Sequence, residues 1–149
     1  KDYYTYVVTG DGELDEGSNW EGLMTIRHYN LTNCITIVDR NHCMIDGNTE
    51  DVMKLEPLAD KFVAFGFHTI VCEGNNIVSL CKAIDEAHKT KDKPTVIVAD
   101  TIKGVGIKLT SGNYKWHYGA IDEEMAKVAA KDLDEYSAER IARCGKEFE

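Results

Sequence analysis

Apolar and β-branched residues gather in four short runs along the chain, separated by amphipathic stretches. The runs cover residues 4–9 (Tyr4, Thr5, Tyr6, Val7, Val8, Thr9), 34–39, 67–73 and 95–100, the last opened by Pro94. Each has the length and composition of a strand. Between the first two, residues 18–30 predict a helix with Ser18 or Asn19 as N-cap and Glu21 in its first turn. Leu23 and Ile26, with Met24 and Tyr29 or Asn30, mark its inward stripe. Val52, Leu55 and Leu58 begin a helical period that Pro57 interrupts. This predicts a short turn, then a helix over 57–65 with Pro57 in its first position and Gly66 past its end. Asn76 caps a further helix over 77–89, apolar at Ile77, Leu80, Cys81 and Ile84. Residues 40–50 read as a loop turned at Asp46-Gly47-Asn48, and 101–119 as a Gly-rich loop. Helices over about 122–130 and 134–144 close the chain. Strands alternating with helices predict an α/β fold, a parallel sheet with flanking helices.

Chemistry concentrates where the first two runs end. Gly10-Asp11-Gly12-Glu13 follows the first, and Asn41 follows Ile37-Val38-Asp39-Arg40 at the end of the second; twenty-eight residues, 13 to 40, separate Gly12 from Asn41. Two strands with one helix between them form a βαβ unit whose strand ends open onto one crevice. A carboxylate and an amide carbonyl meeting there are hard oxygen ligands suited to Mg²⁺ carrying a phosphate compound. The glycines let the backbone approach that phosphate, and the following helix points its N-terminus at it.

The segment GDGELDEGSNWEGLMTIRHYNLTNCITIVDRNHCMIDGNTEDV, continued by LADKFVAFGF, CEGNN, KPTVIVADTIKGVG and KWHYG, resembles the thiamine-diphosphate-binding domain of transketolases over nearly the whole chain. The family pattern is GDG followed, a helix's length later, by Asn. Arg40 departs from it, because many relatives carry Asn or Asp immediately before that Asn. The resemblance implies a partial thiamine-diphosphate-binding fold, with residues 1–149 forming the C-terminal portion of the diphosphate-binding domain. It implies thiamine diphosphate and Mg²⁺, or another divalent cation such as Ca²⁺, as cofactors. Asp11, Asn41 and the backbone carbonyl of Cys43 would ligate the metal. Gly10, Asp11, Gly12, Glu13, Asn41, Ile102 and His117 would hold the cofactor, with Gly12 donating its N–H to the diphosphate. His117, separated from Gly119 by Tyr118, and Glu16, near a subunit boundary, are the implied catalytic residues. A His in that place can bind an oxyanion or carry a proton near neutral pH. Lys103 belongs to a KGxG loop and reads as solvent-facing.

The carboxylate that activates the aminopyrimidine comes, in this family, from a separate pyrimidine-binding domain that nothing here matches. The resemblance therefore implies a transketolase-type transferase component, silent alone, that supports transfer of a two-carbon ketol unit from a ketose phosphate to an aldose. Its expected partners are a chain with the upstream half of the cofactor domain, a chain with the pyrimidine-binding domain, and a sugar phosphate. Two other readings stand beside it. One is a component of another thiamine-diphosphate enzyme, of the 1-deoxyxylulose-5-phosphate synthase or 2-oxoacid dehydrogenase type. The other is a non-catalytic cofactor-binding or assembly fragment. The WEG, IDGNT and KWHYG segments favour transketolase.

A formal net charge of −9 disfavours nucleic acid or an anionic membrane surface as a partner, since both require a basic face. It also requires a metal and local dipoles to supply any positive field around a diphosphate. Five cysteines without a CxxC pair, two in strand-like runs and Cys81 on a helix, read as reduced thiols of a cytoplasmic protein. His42 with Cys43 lacks a second ligand pair at zinc-like spacing. No apolar run approaches the ~20 residues of a membrane span. His28, His42, His68 and His88 read as structural or solvated. The chain starts at Lys1 rather than Met, which suggests a fragment, a processed piece or an incomplete chain.

Overall fold

The computed structural model describes residues 2–144. Its centre is a parallel sheet of β1 (Thr5–Gly10), β2 (Cys34–Arg40), β5 (His68–Glu73) and β6 (Thr95–Asp100), in the order β1-β2-β6-β5. All four strand runs therefore form as predicted, each within a residue or so at its ends. The middle strands β2 and β6 are buried on both faces, which is why Thr95–Asp100 reads as an almost unbroken apolar run. Among the described residues β1 pairs on one side only, and Tyr6, Val7 and Val8 are exposed along it.

Helices cover both faces. On one, α1 (Gly17–His28) and α3 (Leu58–Ala64) enclose Leu14, Leu23, Val38, Leu55, Leu58, Phe62, Phe67, Val96 and Val98. Trp20 stacks on Phe62 with ring centroids 5.7 Å apart and donates from Nε1 to Leu14 O at 2.7 Å. The inner stripe of α1 is thus Trp20, Leu23 and Ile26, whereas Met24 and Tyr29 are exposed. A three-residue step from Trp20 uses the large ring to fill the gap to Phe62, and this rotates Met24 and Tyr29 outward. Nor is α1 capped as expected. A 3-10 turn over Gly12–Asp15 follows β1, Glu16 sits at the N-cap without a side-chain bond, and Asn19 Nδ2 reaches back to Glu13 O at 2.6 Å.

On the opposite face α4 (Ile77–Lys89) packs on Ile35 and Ile97, and Asn76 caps it as predicted, its side chain accepting from Ser79 N at 3.1 Å. The buried positions are Ala83 and Ala87, flanked by Ile84, while Ile77 and Cys81 are exposed. The small alanines allow the helix to approach the isoleucines of the sheet, which turns the larger residues of the predicted stripe away. Cys34, Cys43, Cys72 and Cys81 are free thiols, and the Cys144 side chain lies outside the described residues.

Two further differences matter. The expected loop over 40–50 contains a hairpin, β3 (Cys43–Met44) paired antiparallel with β4 (Gly47–Asn48), followed by one helical turn, α2 (Thr49–Val52). The two closing helices are one, α5 (Glu123–Cys144). Nothing in Lys131-Asp132-Leu133 breaks a helix, and Asp132, 7% exposed, turns inward to accept from Lys108 N at 2.9 Å. This bond ties α5 to the loop after β6.

Candidate functional site

β1 and β2 run in register from Thr5 beside Cys34 to Gly10 beside Asp39. The ladder continues one residue further, with Asp11 N donating to Asp39 O at 3.1 Å. This places Asp11 beside the end of β2 before the chain turns away. A crevice of about 410 Å³ opens there, lined by Gly10, Asp11, Gly12, Glu13, Glu16, Asn41, Cys43, Met44, Ile45, Asp46, Lys103 and His117.

Asp11 is fully buried, and both carboxylate oxygens are engaged. Oδ1 accepts from Gly12 N at 2.8 Å; Oδ2 accepts from His42 N at 2.8 Å and from Arg40 Nη1 at 2.7 Å. Gly12 has no room for a side chain, since a Cβ there would lie 2.7 Å from Met44 Cβ. Its N–H is turned to Asp11, and Gly10 N donates to Glu13 Oε2 at 3.1 Å, so the motif closes partly on itself.

Asn41 is oriented from behind. Its Nδ2 donates to Asp39 Oδ2 at 3.0 Å, and Thr101 Oγ1 holds the other oxygen of Asp39. Its Oδ1 accepts from Cys43 N at 3.0 Å, which leaves lone-pair capacity on that oxygen. Burial pushes the Cys43 thiol upward in pKa, which keeps it neutral beside these oxygens. His42, in the left-handed region at φ 62°, sends Nε2 to Asp100 Oδ1 at 2.7 Å. Histidine is among the residues enriched in that conformation.

The far wall comes from the loop after β6. Gly104, at φ 63°, would bring a Cβ to 2.7 Å from Thr110 Oγ1, and Gly112 N donates to Lys103 O at 2.8 Å. This tight fold returns the chain over the crevice and sets Lys103 in its lining. A 3-10 turn over Tyr114–His117 packs against the β3–β4 hairpin and carries His117 to the same wall.

Residues 1–138 match the family described as transketolase, thiamine diphosphate binding domain. The chain belongs to that family. It is 36% identical over 146 residues to an apulose-4-phosphate transketolase subunit of Phocaeicola vulgatus, covering 98% of this chain and 50% of that one. To 6-deoxy-6-sulfo-D-fructose transketolase subunit SqwG of a Clostridium species it is 38% identical over 133 residues, covering 89% and 48%. Transketolase of Campylobacter jejuni superposes with a TM-score of 0.82 at 30% identity, covering 89% of this chain and 21% of that one. Transketolase of Leishmania mexicana gives 0.68 at 32%, covering 95% and 24%. The chain spans about half the length of these curated subunits.

Within this transketolase-family domain, Gly10, Asp11, Gly12, Glu13, Glu16, Asn41, Cys43 and His117 line one crevice. Ile102 does not. It lines a second opening of about 520 Å³ with Glu73, Asn75, Asn76, Asp100, Thr101, Val105, Tyr136 and Arg143. Lys103, read from the sequence as solvent-facing, lies in the first crevice instead; the compact Gly-Val-Gly turn after it was the available signal. Arg40 was the departure from the family pattern, and its ion-pair partners Glu50 and Glu56 lie too far along the chain for spacing to show.

The donors fit a hard cation. Among the described residues no group of three His, Cys, Asp or Glu side chains could hold a metal, so a site here must draw on one carboxylate, amide and backbone carbonyl oxygens and the ligand itself. That is how Mg²⁺ binds with a phosphate compound, through one or two carboxylates. The side-chain-free position at Gly12 is what lets Met44 of the hairpin close against the turn at the crevice. No helix of the described residues is long and apolar enough to cross a membrane.

Proposed function

We propose that this chain is the diphosphate-holding portion of a transketolase, a transferase component that works with at least one further protein surface. Asp11, Asn41 and the Cys43 carbonyl hold Mg²⁺, and the Gly10–Glu13 turn receives the diphosphate of thiamine diphosphate. The bound cofactor supplies carbanion stabilisation, and the protein binds and orients it. Lys103 and His117 face the diphosphate as the cationic and hydrogen-bonding groups of the wall, and His117 also meets the sugar phosphate. Glu16 sits where the crevice opens toward a partner, and Ile102 packs against the cofactor's body where it extends toward the second opening. The substrates are a ketose phosphate donor and an aldose acceptor.

The single observation that carries this reading is the convergence of Asp11, Asn41, Cys43, Lys103 and His117, from four separate segments, on one crevice at the strand ends. The partner surface is supported by the subunit names of the relatives and by the exposed edge of β1. The partner proposed is a chain carrying the pyrimidine-binding domain, in a hetero-oligomer. Free thiols at Cys34, Cys43, Cys72 and Cys81 suit the cytoplasm. The test is to purify the chain with its natural partner and follow Mg²⁺-dependent thiamine diphosphate binding and ketol transfer. Binding and turnover are expected from the assembly and no turnover from the chain alone. Turnover by the isolated chain, or an assembly indifferent to both cofactor and metal, overturns the reading.

A further inference from the structure

Arg40 is the hub of a buried polar cluster and the residue the family pattern did not foresee. It ends β2, one residue before Asn41, and is only 3% exposed. Its three nitrogens are all bonded. Nη1 donates to Asp11 Oδ2 at 2.7 Å and Thr49 Oγ1 at 2.5 Å, Nη2 to Glu50 Oε1 at 2.8 Å and Glu56 Oε1 at 3.0 Å, and Nε to Glu56 Oε1 at 3.3 Å. The carboxylates are anchored in turn. Glu50 Oε1 accepts from Leu55 N at 3.1 Å, and Glu56 Oε2 from Leu58 N at 2.8 Å. The guanidinium cannot rotate without breaking several of these contacts, so it fixes Asp11 to the corner between α2 and α3.

We propose that Arg40 is a positioning residue that restricts Asp11 to a single-oxygen metal ligand and thereby sets a preference for Mg²⁺ over Ca²⁺. This rests on the assignment of Asp11 to Mg²⁺ above. A carboxylate has about four lone-pair sites, and three of those on Asp11 are taken by Arg40, His42 N–H and Gly12 N–H. One direction is left. Mg²⁺ demands near-octahedral geometry and accepts a carboxylate through one oxygen, whereas Ca²⁺ takes more ligands and readily draws on both. A pinned Asp11 therefore suits the smaller ion. The charge balance permits it, since one cation faces three carboxylates, Asp11, Glu50 and Glu56, and the cluster stays net negative toward an incoming metal. Lysine could not replace this, because its ammonium is a point charge without the planar fork that spans Asp11 and both glutamates.

The experiment uses the chain assembled with its natural partner. Thiamine diphosphate affinity is measured by calorimetry in Mg²⁺ and in Ca²⁺ for the unaltered protein, Arg40→Lys and Glu56→Gln, with thermal melts alongside. Arg40→Lys is expected to weaken Mg²⁺-supported binding by about tenfold or more, the usual effect of losing a group that orients a metal ligand. Binding in Ca²⁺ should fall less, so the Mg²⁺:Ca²⁺ ratio shrinks. Glu56 has a half-exposed side chain, so Glu56→Gln should keep the fold and move the ratio the same way by a few-fold. If Arg40→Lys does not fold, Glu56→Gln decides. A merely structural Arg40 would lower melting temperature and leave the ratio unchanged, and that result overturns the inference while the metal assignment stands. An unaltered assembly that binds the cofactor without any divalent ion overturns both.

Discussion

Two openings lie at the same end of the same sheet, and they are built differently. The β1–β2 crevice has a buried carboxylate locked by an arginine and two backbone amides, and an asparagine oriented from behind by Asp39. The β5–β6 opening is the larger, but Asp100 in its lining is 63% exposed at the side chain, and its wall is α5, joined through Arg140 Nη2 to Asn75 O at 2.6 Å. Parallel topology puts both at the carboxyl ends of strands, where ligands bind in open α/β sheets. Size and topology therefore do not single out a site. Preorganised, desolvated polar groups do, because they hold their geometry before a ligand arrives. His42 spans the divide, its amide on Asp11 and its ring on Asp100.

The largest expected effect that would sharpen this contrast comes from Asp11→Ala. Cofactor affinity in the complete assembly should fall about a hundredfold or more. Because Arg40 stays buried with one carboxylate fewer, the fold should lose ~3 kcal/mol as well. Calorimetry and urea melts read the two parts, and unchanged affinity would remove the first crevice from consideration. His117→Ala comes next. His117 is exposed, so turnover should drop about a hundredfold, as for a lost proton-transfer or oxyanion partner, with stability shifting by no more than ~0.5 kcal/mol. A large stability loss with normal kcat would make it a structural residue.

A smaller effect follows from pH. The Leu58 amide, and then Arg40, hold the Glu56 carboxyl below its ordinary value of 4.5. The unfolded chain then binds the proton first, so this group's contribution is complete above 4.5 and is lost as pH falls through the folded value. For a half-exposed pair it lies within ~0–1 kcal/mol. Asp15 works in the opposite sense. Burial, then the charges of Asp11 and Glu16, raise it above 3.8, so its contribution favours folding at low pH and fades as pH rises through the raised value. Urea midpoints between pH 3 and 6 should therefore show a shallower acid loss in Glu56→Gln and a steeper one in Asp15→Asn than in the unaltered chain. The smallest effect is expected from Asp100→Asn in the second opening. Stability should change by less than ~1 kcal/mol and cofactor affinity should not move measurably, since the pair with His42 is exposed on both sides. A marked affinity loss would break the comparison and make the two openings one site.

The strands, the Asn76 cap and the GDG-to-Asn crevice were legible because local composition decides them. The helix faces were less so. Periodicity marked Ile77 and Cys81 as inward, but the sheet's isoleucines select Ala83 and Ala87 by fit, which no single-helix pattern encodes. The hairpin over 43–48 was hidden because two-residue strands carry too little alternation to register, and the turn expected at Asp46-Gly47-Asn48 is made instead at Ile45-Asp46, with Gly47 and Asn48 in β4. Within the site, Asp11, Asn41 and His117 came from motif and resemblance. The Arg40 hub did not, because Glu50 and Glu56 meet it only after α2 folds back on β2. Lys103 was misread for the opposite reason. A lysine's prior is solvent, and only the closed turn at Gly104 reverses it.

Asp11 directly follows β1, one of the two outer strands, which among the described residues carries a single ladder. In native-state hydrogen exchange, amides on such an outer strand open at the low end of the free-energy scale, well before those of β2 and β6. Whatever pairs with the side of β1 left unpaired among the described residues slows that opening, and so does anything that ligates the carboxylate beyond its tip. Two events that hold the same strand closed are thermodynamically linked. Partner association should tighten cofactor loading by the same factor by which cofactor tightens association.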